Sequence, residues 1–217
     1  MTLTPSDASQ LTRGICALAP IVPVLVIDDI TSARPLAEAL VAGGLPALEV
    51  TLRTPAALDA IAIMAQVPGG HVGAGTLVTP EDVRAAKQAG ATFGVSPGAT
   101  DELLKACEEA DLPLLPGAAT ASEAMRLLAC GYDMLKFFPA ETSGGAPALK
   151  AIGAPLPQIT FCPTGGISPA NAKSYLDLPN VICAGGSWVA AKDKIAAGDW
   201  SGIETLARDA SKLGTSS

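Results

Sequence analysis

Charge is scarce in this 217-residue sequence. Asp, Glu, Lys and Arg make up 16% of it, against roughly 25% in average domains. Histidine is rarer still, with His71 alone. A histidine-built metal centre or a Ser–His dyad would have to use that one residue. It opens an apolar run, which suits a structural role. A basic run is also missing, and Lys+Arg 14 against Asp+Glu 21 gives a net charge of −7. Nucleic-acid binding is therefore not expected, and the negative charge serves solubility. The five cysteines, Cys16, Cys107, Cys130, Cys162 and Cys183, are odd in number and lack C-x-x-C spacing. That disfavours a disulfide framework and a zinc ribbon, and leaves buried, reduced thiols in a cytosol.

Long unbroken apolar runs are absent too. Segments 60–80 and 151–172 hold no Asp, Glu, Lys or Arg, but proline and paired glycines interrupt both. A membrane-spanning helix needs about 20 mostly apolar residues, so no membrane partner is expected. Residues 1–10 lack the basic start of a signal peptide. A soluble cytoplasmic protein is the expectation. Nucleotide signatures fail as well. Residues 73–78 read GAGTLV, without the third glycine of a dinucleotide turn, and no G-x-x-x-x-G-K-[ST] occurs.

What the sequence has is apolar residues (49%), 22 glycines and 18 prolines. This excludes disorder, coiled coil and a simple helix bundle. Eight short apolar runs recur, at 21–27, 47–52, 71–75, 92–95, 112–115, 134–138, 158–162 and 181–184. Helical stretches alternate with them, at 31–42, 55–66, 80–89, 100–110, 121–129 and 169–176, with an extra helix at 6–18 before the first run. Thr54-Pro55, Thr79-Pro80 and Ser168-Pro169 read as an N-cap followed by proline in the first helical position. Gly43, Gly90 and Gly131 read as helix stops. Eight βα units with buried strands predict a parallel sheet, and eight is the closing number of a (βα)8 TIM barrel. An open doubly wound sheet is the alternative. No linker divides the chain, so a single α/β domain spanning 1–217 is expected.

In such a barrel, functional groups sit at the C-terminal ends of strands. Charges that interrupt strands are therefore informative, because burying them is costly. Of eight lysines, Lys136 alone lies inside an apolar run, Met134-Leu135-Lys136-Phe137-Phe138. Alternation puts it opposite Leu135 and Phe137, pointing inward if those face the helices. A desolvated amine becomes a nucleophile toward carbonyls. Glu49 interrupts Ala47-Leu48-Glu49-Val50-Thr51 in the same way, and an inward carboxylate could move protons beside that amine. The two could equally be a structural ion pair, and the roles are compatible. Arg53 follows at the strand end, where a guanidinium could grip a carboxylate or simply face solvent. Gly165-Gly166 and Gly185-Gly186 follow the seventh and eighth runs, each opening a helical stretch. Backbone N–H groups there can approach a phosphate, and the loops after strands 7 and 8 are the usual phosphate site of this fold.

Several motifs in order resemble the 2-keto-3-deoxy-6-phosphogluconate (KDPG) aldolase family, which includes 4-hydroxy-2-oxoglutarate (KHG) aldolases. They are LEVTLRT at 48–54, VGAGT at 72–76, SPG at 96–98, PG at 116–117, KFFPAE at 136–141, FCPTGGISPAN at 161–171 and GGSW at 185–188. The resemblance covers about 21–207. It implies a cofactor-free, homotrimeric class I aldolase that cleaves KDPG to pyruvate and glyceraldehyde 3-phosphate, and that has room for KHG cleavage to pyruvate and glyoxylate. It also implies roles: Lys136 as Schiff-base lysine, Glu49 as general acid/base, Arg53 and Thr76 on the pyruvate carboxylate, Phe138 beside the imine, Pro97 and Thr164 on substrate, and Gly165, Gly166, Gly186 and Ser187 on phosphate. The segment after GGSW, Val189-Ala190-Ala191-Lys192, departs from the family pattern in lacking a proline. The competing readings are a phosphosugar isomerase or epimerase, an aldolase for the galactonate-derived keto acid phosphate, and a non-catalytic phosphometabolite binder.

Overall fold

A computed structural model describes residues 3–214, so the ends of the expected unit, 1–2 and 215–217, lie outside the described residues. The chain starts with α1 (Pro5–Cys16), β1 (Ile21–Leu25), a 3-10 turn at Ile30–Ser32, α2 (Ala33–Ala42), β2 (Ala47–Thr51), α3 (Ala57–Met64) and β3 (His71–Gly75). It continues with α4 (Pro80–Gln88), β4 (Phe93–Val95), α5 (Asp101–Glu109), β5 (Leu114–Leu115), β6 (Gly117–Ala118), α6 (Ala121–Ala129) and β7 (Met134–Phe137). It ends with α7 (Gly145–Gly153), β8 (Thr160–Pro163), α8 (Ala172–Leu176), β9 (Ala184–Gly186), a 3-10 turn at Trp188–Ala190, α9 (Lys192–Ala197) and α10 (Trp200–Ala210).

The fold is α/β with a curled sheet of parallel strands. Six strands run in the order β5-β4-β3-β2-β1-β9 and form half a barrel, and a second sheet has the order β6-β7-β8. Every strand pair is parallel, because a helix intervenes between most successive strands. The fifth apolar run, 112–115, holds the short β5, and a further strand, β6, follows it at Gly117–Ala118. Pro116 between them has no N–H to give a ladder, although its carbonyl accepts from Lys136 N at 2.8 Å. Isolated bridges Phe161–Val181 and Thr164–Gly185 link β8 to the β9 segment.

Strand alternation sorts the core into two layers. Leu48, Val50, Leu135 and Phe137 join the larger cluster formed with the helices. Ala47, Phe93, Val95 and Met134 join a smaller inner cluster with Cys16, Cys162 and Cys183. Helix α1 packs against β5 and β7. Arg13 of α1 bridges to Asp133 at 3.0 Å, and Asp133 N donates to Ser9 Oγ at 3.1 Å. Asp133 immediately precedes β7, so α1 covers the N-terminal ends of these strands.

Two expected helix starts are corrected. The helix predicted from Pro55 begins at Ala57, because the Thr54 hydroxyl donates to Ile27 O at 2.5 Å instead of capping. The helix predicted from Pro169 begins at Ala172. Ser168 N donates to Asn171 Oδ1 at 2.8 Å and holds the intervening residues in a turn. The Thr79-Pro80 start is found as expected. Thr79 Oγ1 accepts from Asp82 N at 3.2 Å, and Asp82 Oδ2 accepts from Thr79 N at 2.9 Å, a capping box. Gly90 and Gly131 end their helices with positive φ. After α2 the positive φ falls on Gly44, one residue beyond the expected Gly43. Among the described residues no helix is long and apolar enough to cross a membrane.

The capping box anchors the loop that carries Thr76 out of β3. Thr79→Ala is expected to lower stability by about 1 kcal/mol, read as a lower urea midpoint with an unchanged slope.

Candidate active site

Glu49 lies in β2 of the six-stranded sheet, and Lys136 lies in β7 of the other. Lys136 Nζ donates to Glu49 Oε1 at 3.1 Å, with side-chain exposures of 6% and 4%. The inner faces of the two sheets thus meet at this ion pair, and both inward assignments from the sequence hold. The Lys136 ammonium also sits 5.1 Å from the centroid of the Phe138 ring, within cation–π range. Gly75, at the end of β3, leaves the carboxylate its space: a Cβ there would fall 2.4 Å from Glu49 Oε1.

A cleft of about 330 Å³ opens beside Phe138. Arg53, Thr164, Gly165, Gly166 and Ser187 line it, five of the residues singled out by sequence, together with Gly185 and Lys192. Thr164 is buried beside the Gly165-Gly166 turn. Ala140 N donates to Thr164 O at 2.8 Å and Glu141 N to Gly165 O at 3.1 Å, which ties that turn to the loop after β7. Gly165 and Gly166 have φ of +104° and +78°, a backbone region open to glycine at no steric cost. The helices expected to open at the glycine pairs start farther on, at Ala172 and Lys192. Turns rather than α-helix N-termini therefore follow the glycine pairs at this rim, with a 3-10 turn at Trp188–Ala190 and the Lys192 cation beside the second.

Arg53 is exposed at the end of β2, and its Nε donates to Thr76 Oγ1 at 3.4 Å. Thr76 has φ of +64°, a region rare for a β-branched residue and worth about 1–3 kcal/mol of strain. Strain of that kind concentrates at functional sites. Besides the buried Lys136 and Glu49, three residues stand apart from the cleft lining. Gly186 is buried in β9, Thr76 reaches the cleft only through Arg53, and Pro97 lies after β4, where its carbonyl faces Gly117. A larger depression of about 870 Å³ between Glu141, Lys150 and Asn171 contains none of the predicted site residues.

Two residues were missed by sequence reasoning. Lys192 reads as a solvated helix lysine because nothing local marks it. Ser96 is fully buried, and its Oγ has no hydrogen-bond partner among the described residues. Such an atom is costly unless a ligand or water completes it. The SPG motif was its only signal. His71 is exposed at the start of β3, far along the strand from Gly75 and Thr76, as expected.

The cysteines are less uniform than expected. Cys130 is exposed, since it caps α6 on its solvent side; the other four are buried. Cys16, Cys162 and Cys183 come together with their sulfur atoms all within 4.8 Å of one another. Hydrogen bonds from Cys16 and Cys183, helped by the Lys136 charge, hold the Cys162 thiol well below its usual range. Hydrogen bonding with neighbouring thiols and burial push Cys183 well up, and Cys16 is likewise raised, chiefly by its bond with Cys162. Cys107 lies elsewhere, and burial pushes it up to about 12.

Removing one member of a buried ion pair strands the other. Lys136→Ala is expected to cost about 3–5 kcal/mol of stability at neutral pH, whereas Lys136→Met combined with Glu49→Leu should be close to neutral. Urea unfolding of the two variants reads the difference; equal losses would mean that the pair is not coupled.

The sequence model of a family described as "Aldolase: KDPG and KHG aldolase" matches residues 13–206. A 2-dehydro-3-deoxy-phosphogluconate aldolase of Pseudoalteromonas atlantica is 53% identical over 199 residues, 91% of this chain and 93% of that protein. The crystal structure of the 2-keto-3-deoxy-6-phosphogluconate aldolase of Zymomonas mobilis with 3-phosphoglycerate superposes with a TM-score of 0.88 at 50% identity, covering 94% of this chain and 97% of that one. That of the KDPG aldolase from Legionella pneumophila, with pyruvate captured as a covalent carbinolamine, gives a TM-score of 0.88 at 46% identity, covering 96% and 98%. A matching family sequence pattern and half-identical relatives over nine-tenths of its length establish that this chain belongs to the KDPG and KHG aldolase family.

Proposed function

We propose that this chain, a carbon–carbon lyase by family, cleaves KDPG to pyruvate and glyceraldehyde 3-phosphate through a Schiff base on Lys136. The observation that carries this reading is the buried 3.1 Å contact between Lys136 and Glu49. Its proton can pass to the carboxylate, which frees the amine to attack the C2 carbonyl. The carbinolamine that forms loses water to give a protonated imine. Glu49 then takes the C4 hydroxyl proton as the C3–C4 bond breaks, and the electron pair enters the imine as an enamine. Glyceraldehyde 3-phosphate leaves, the enamine is protonated at C3, and hydrolysis releases pyruvate. The imine is the electron sink, so the chemistry needs no cofactor.

The cleft gives each end of the substrate a place. Arg53 and Thr76 take the carboxylate, and Phe138 packs beside the imine. Thr164 contacts the substrate, with Pro97 and the unpartnered Ser96 hydroxyl nearer β4. Gly165, Gly166, Gly186 and Ser187 take the phosphate, helped by Lys192. The captured carbinolamine of the Legionella relative and the 3-phosphoglycerate of the Zymomonas relative support these two ends. In this reading the two sheets close into one (βα)8 barrel with an added N-terminal helix, as a single domain. The barrel is cytoplasmic and homotrimeric; the trimer rests on the family resemblance, and the cytoplasmic setting on composition.

Borohydride added with pyruvate is expected to fix a covalent adduct on the peptide carrying Lys136. An unmodified peptide, or full activity after treatment, favours an isomerase or epimerase instead. A lactate dehydrogenase-coupled assay with both C4 epimers separates the gluconate from the galactonate series. Glu49→Gln should slow turnover by about 10²–10⁴-fold, with adduct formation affected far less.

Phosphate recognition has its own readout. Lys192→Ala should raise KM for KDPG by roughly 10-fold, the value of one charge-assisted hydrogen bond. KM for KHG, which lacks a phosphate, should stay unchanged in the same variant.

A further inference from the structure

The inner thiol cluster lies outside the chemistry described above. Cys16 ends α1, Cys162 lies in β8, and Cys183 directly precedes β9. Three separate elements thus bring three sulfurs within 4.8 Å of one another, at exposures of 3%, 2% and 0%. With bonds of ~2.3 Å to sulfur, a pyramidal three-coordinate atom with angles of about 100° needs its sulfurs roughly 3.5 Å apart. The cluster, with its sulfurs within 4.8 Å of one another, has to contract by about 1 Å to close on such an atom. Most of its other neighbours are apolar, among them Val22, Phe93 and Met134; Thr164 Oγ1 lies 3.9 Å from Cys162 Sγ, and the nearby Lys136 charge is already matched by Glu49. No histidine or carboxylate completes the group among the described residues.

We infer that Cys16, Cys162 and Cys183 form a three-coordinate, all-sulfur site for a soft thiophilic ion, and that trivalent arsenic is the ion whose charge it matches. Soft thiolate ligands select soft ions. A fourth ligand is missing, which counts against tetrahedral zinc. Charge then decides among the three-coordinate ions. Three thiolates leave a bound monovalent ion with a net −2 and a divalent ion with −1, both costly in a dry pocket. A trivalent ion leaves none. Arsenous acid binds by exchange: three As–O bonds break and three As–S bonds form. The three hydroxides leave as water with the Cys16 and Cys183 thiol protons and one proton from solvent, because Cys162 is already held toward the thiolate, and no atom changes oxidation state. Occupancy fastens α1 directly to β8 and to the approach to β9. Ligand binding to the folded state alone raises its stability.

The test uses the reduced full-length chain titrated with sodium arsenite. Intact mass should rise by one arsenic less three hydrogens, and arsenic K-edge absorption should count three sulfur neighbours and no oxygen. The melting midpoint should rise with arsenite. Cys107→Ala and Cys130→Ala should keep the three-sulfur signal, whereas Cys16→Ala, Cys162→Ala and Cys183→Ala should each lose it. The absorption measurement on the wild-type chain stands even where a core variant fails to fold. An oxygen in the arsenic shell, no adduct at all, or loss of the signal in Cys107→Ala or Cys130→Ala would overturn the assignment.

Discussion

The buried contact between Lys136 and Glu49 is the constraint on which the rest of the structure depends. Its partners come from different sheets, 87 residues apart in sequence. Neither charge can be left in the dry interior alone, so the two inner faces must meet in one register. Each strand supports that register locally. Lys136 pairs with Gly117 on one side and Cys162 on the other, and Glu49 pairs with Val24 and Gly73. An apolar pair of the same size would often be as stable. Folding alone therefore does not call for two opposite charges here, which is what the proposed Schiff-base chemistry accounts for.

The cleft above the pair divides by physical character. At its base the groups are less exposed: Thr164 is buried, and Phe138 lies against the ammonium. At its rim they are exposed and cationic, namely Arg53 and Lys192. Bond making benefits from excluded water, because electrostatic interactions strengthen there. Anion capture benefits from charges that solvent can reach. The left-handed Thr76 belongs between these regimes. Its strain is tolerable because the α4 capping box pins the loop three residues later and Arg53 engages its hydroxyl.

Much of this was legible in the sequence because it depends on short-range rules. Alternation placed Lys136 and Glu49 inward without any contact information, and the Thr79 cap followed from its side chain and the proline after it. Failures came where a long-range partner outcompeted a local one. Thr54 has the sequence of a cap, but a carbonyl in the neighbouring strand takes its hydroxyl. Ser168 lost its capping role to a turn closed by Asn171. Lys192 looked like any surface lysine, since only the fold brings it to the rim with Ser187. The cysteine spacing matches none of the usual metal motifs, but spacing along a chain is blind to three elements converging in space.

That convergence follows from how this fold closes beneath its chemistry. Parallel strands leave an opening at their N-terminal ends, and water entering there would reach the Lys136–Glu49 pair from below. Helix α1 covers that end, held by Arg13 and Ser9 against Asp133. Its last residue must then be small and apolar enough to meet the inner cluster, and a protonated cysteine meets both requirements. The inward positions of β8 and of the approach to β9 face the same inner cluster, and there Cys162 and Cys183 stand. Sealing the base against water thus gathers thiols into one dry pocket, and whatever binds them acts on the seal before it can reach the amine.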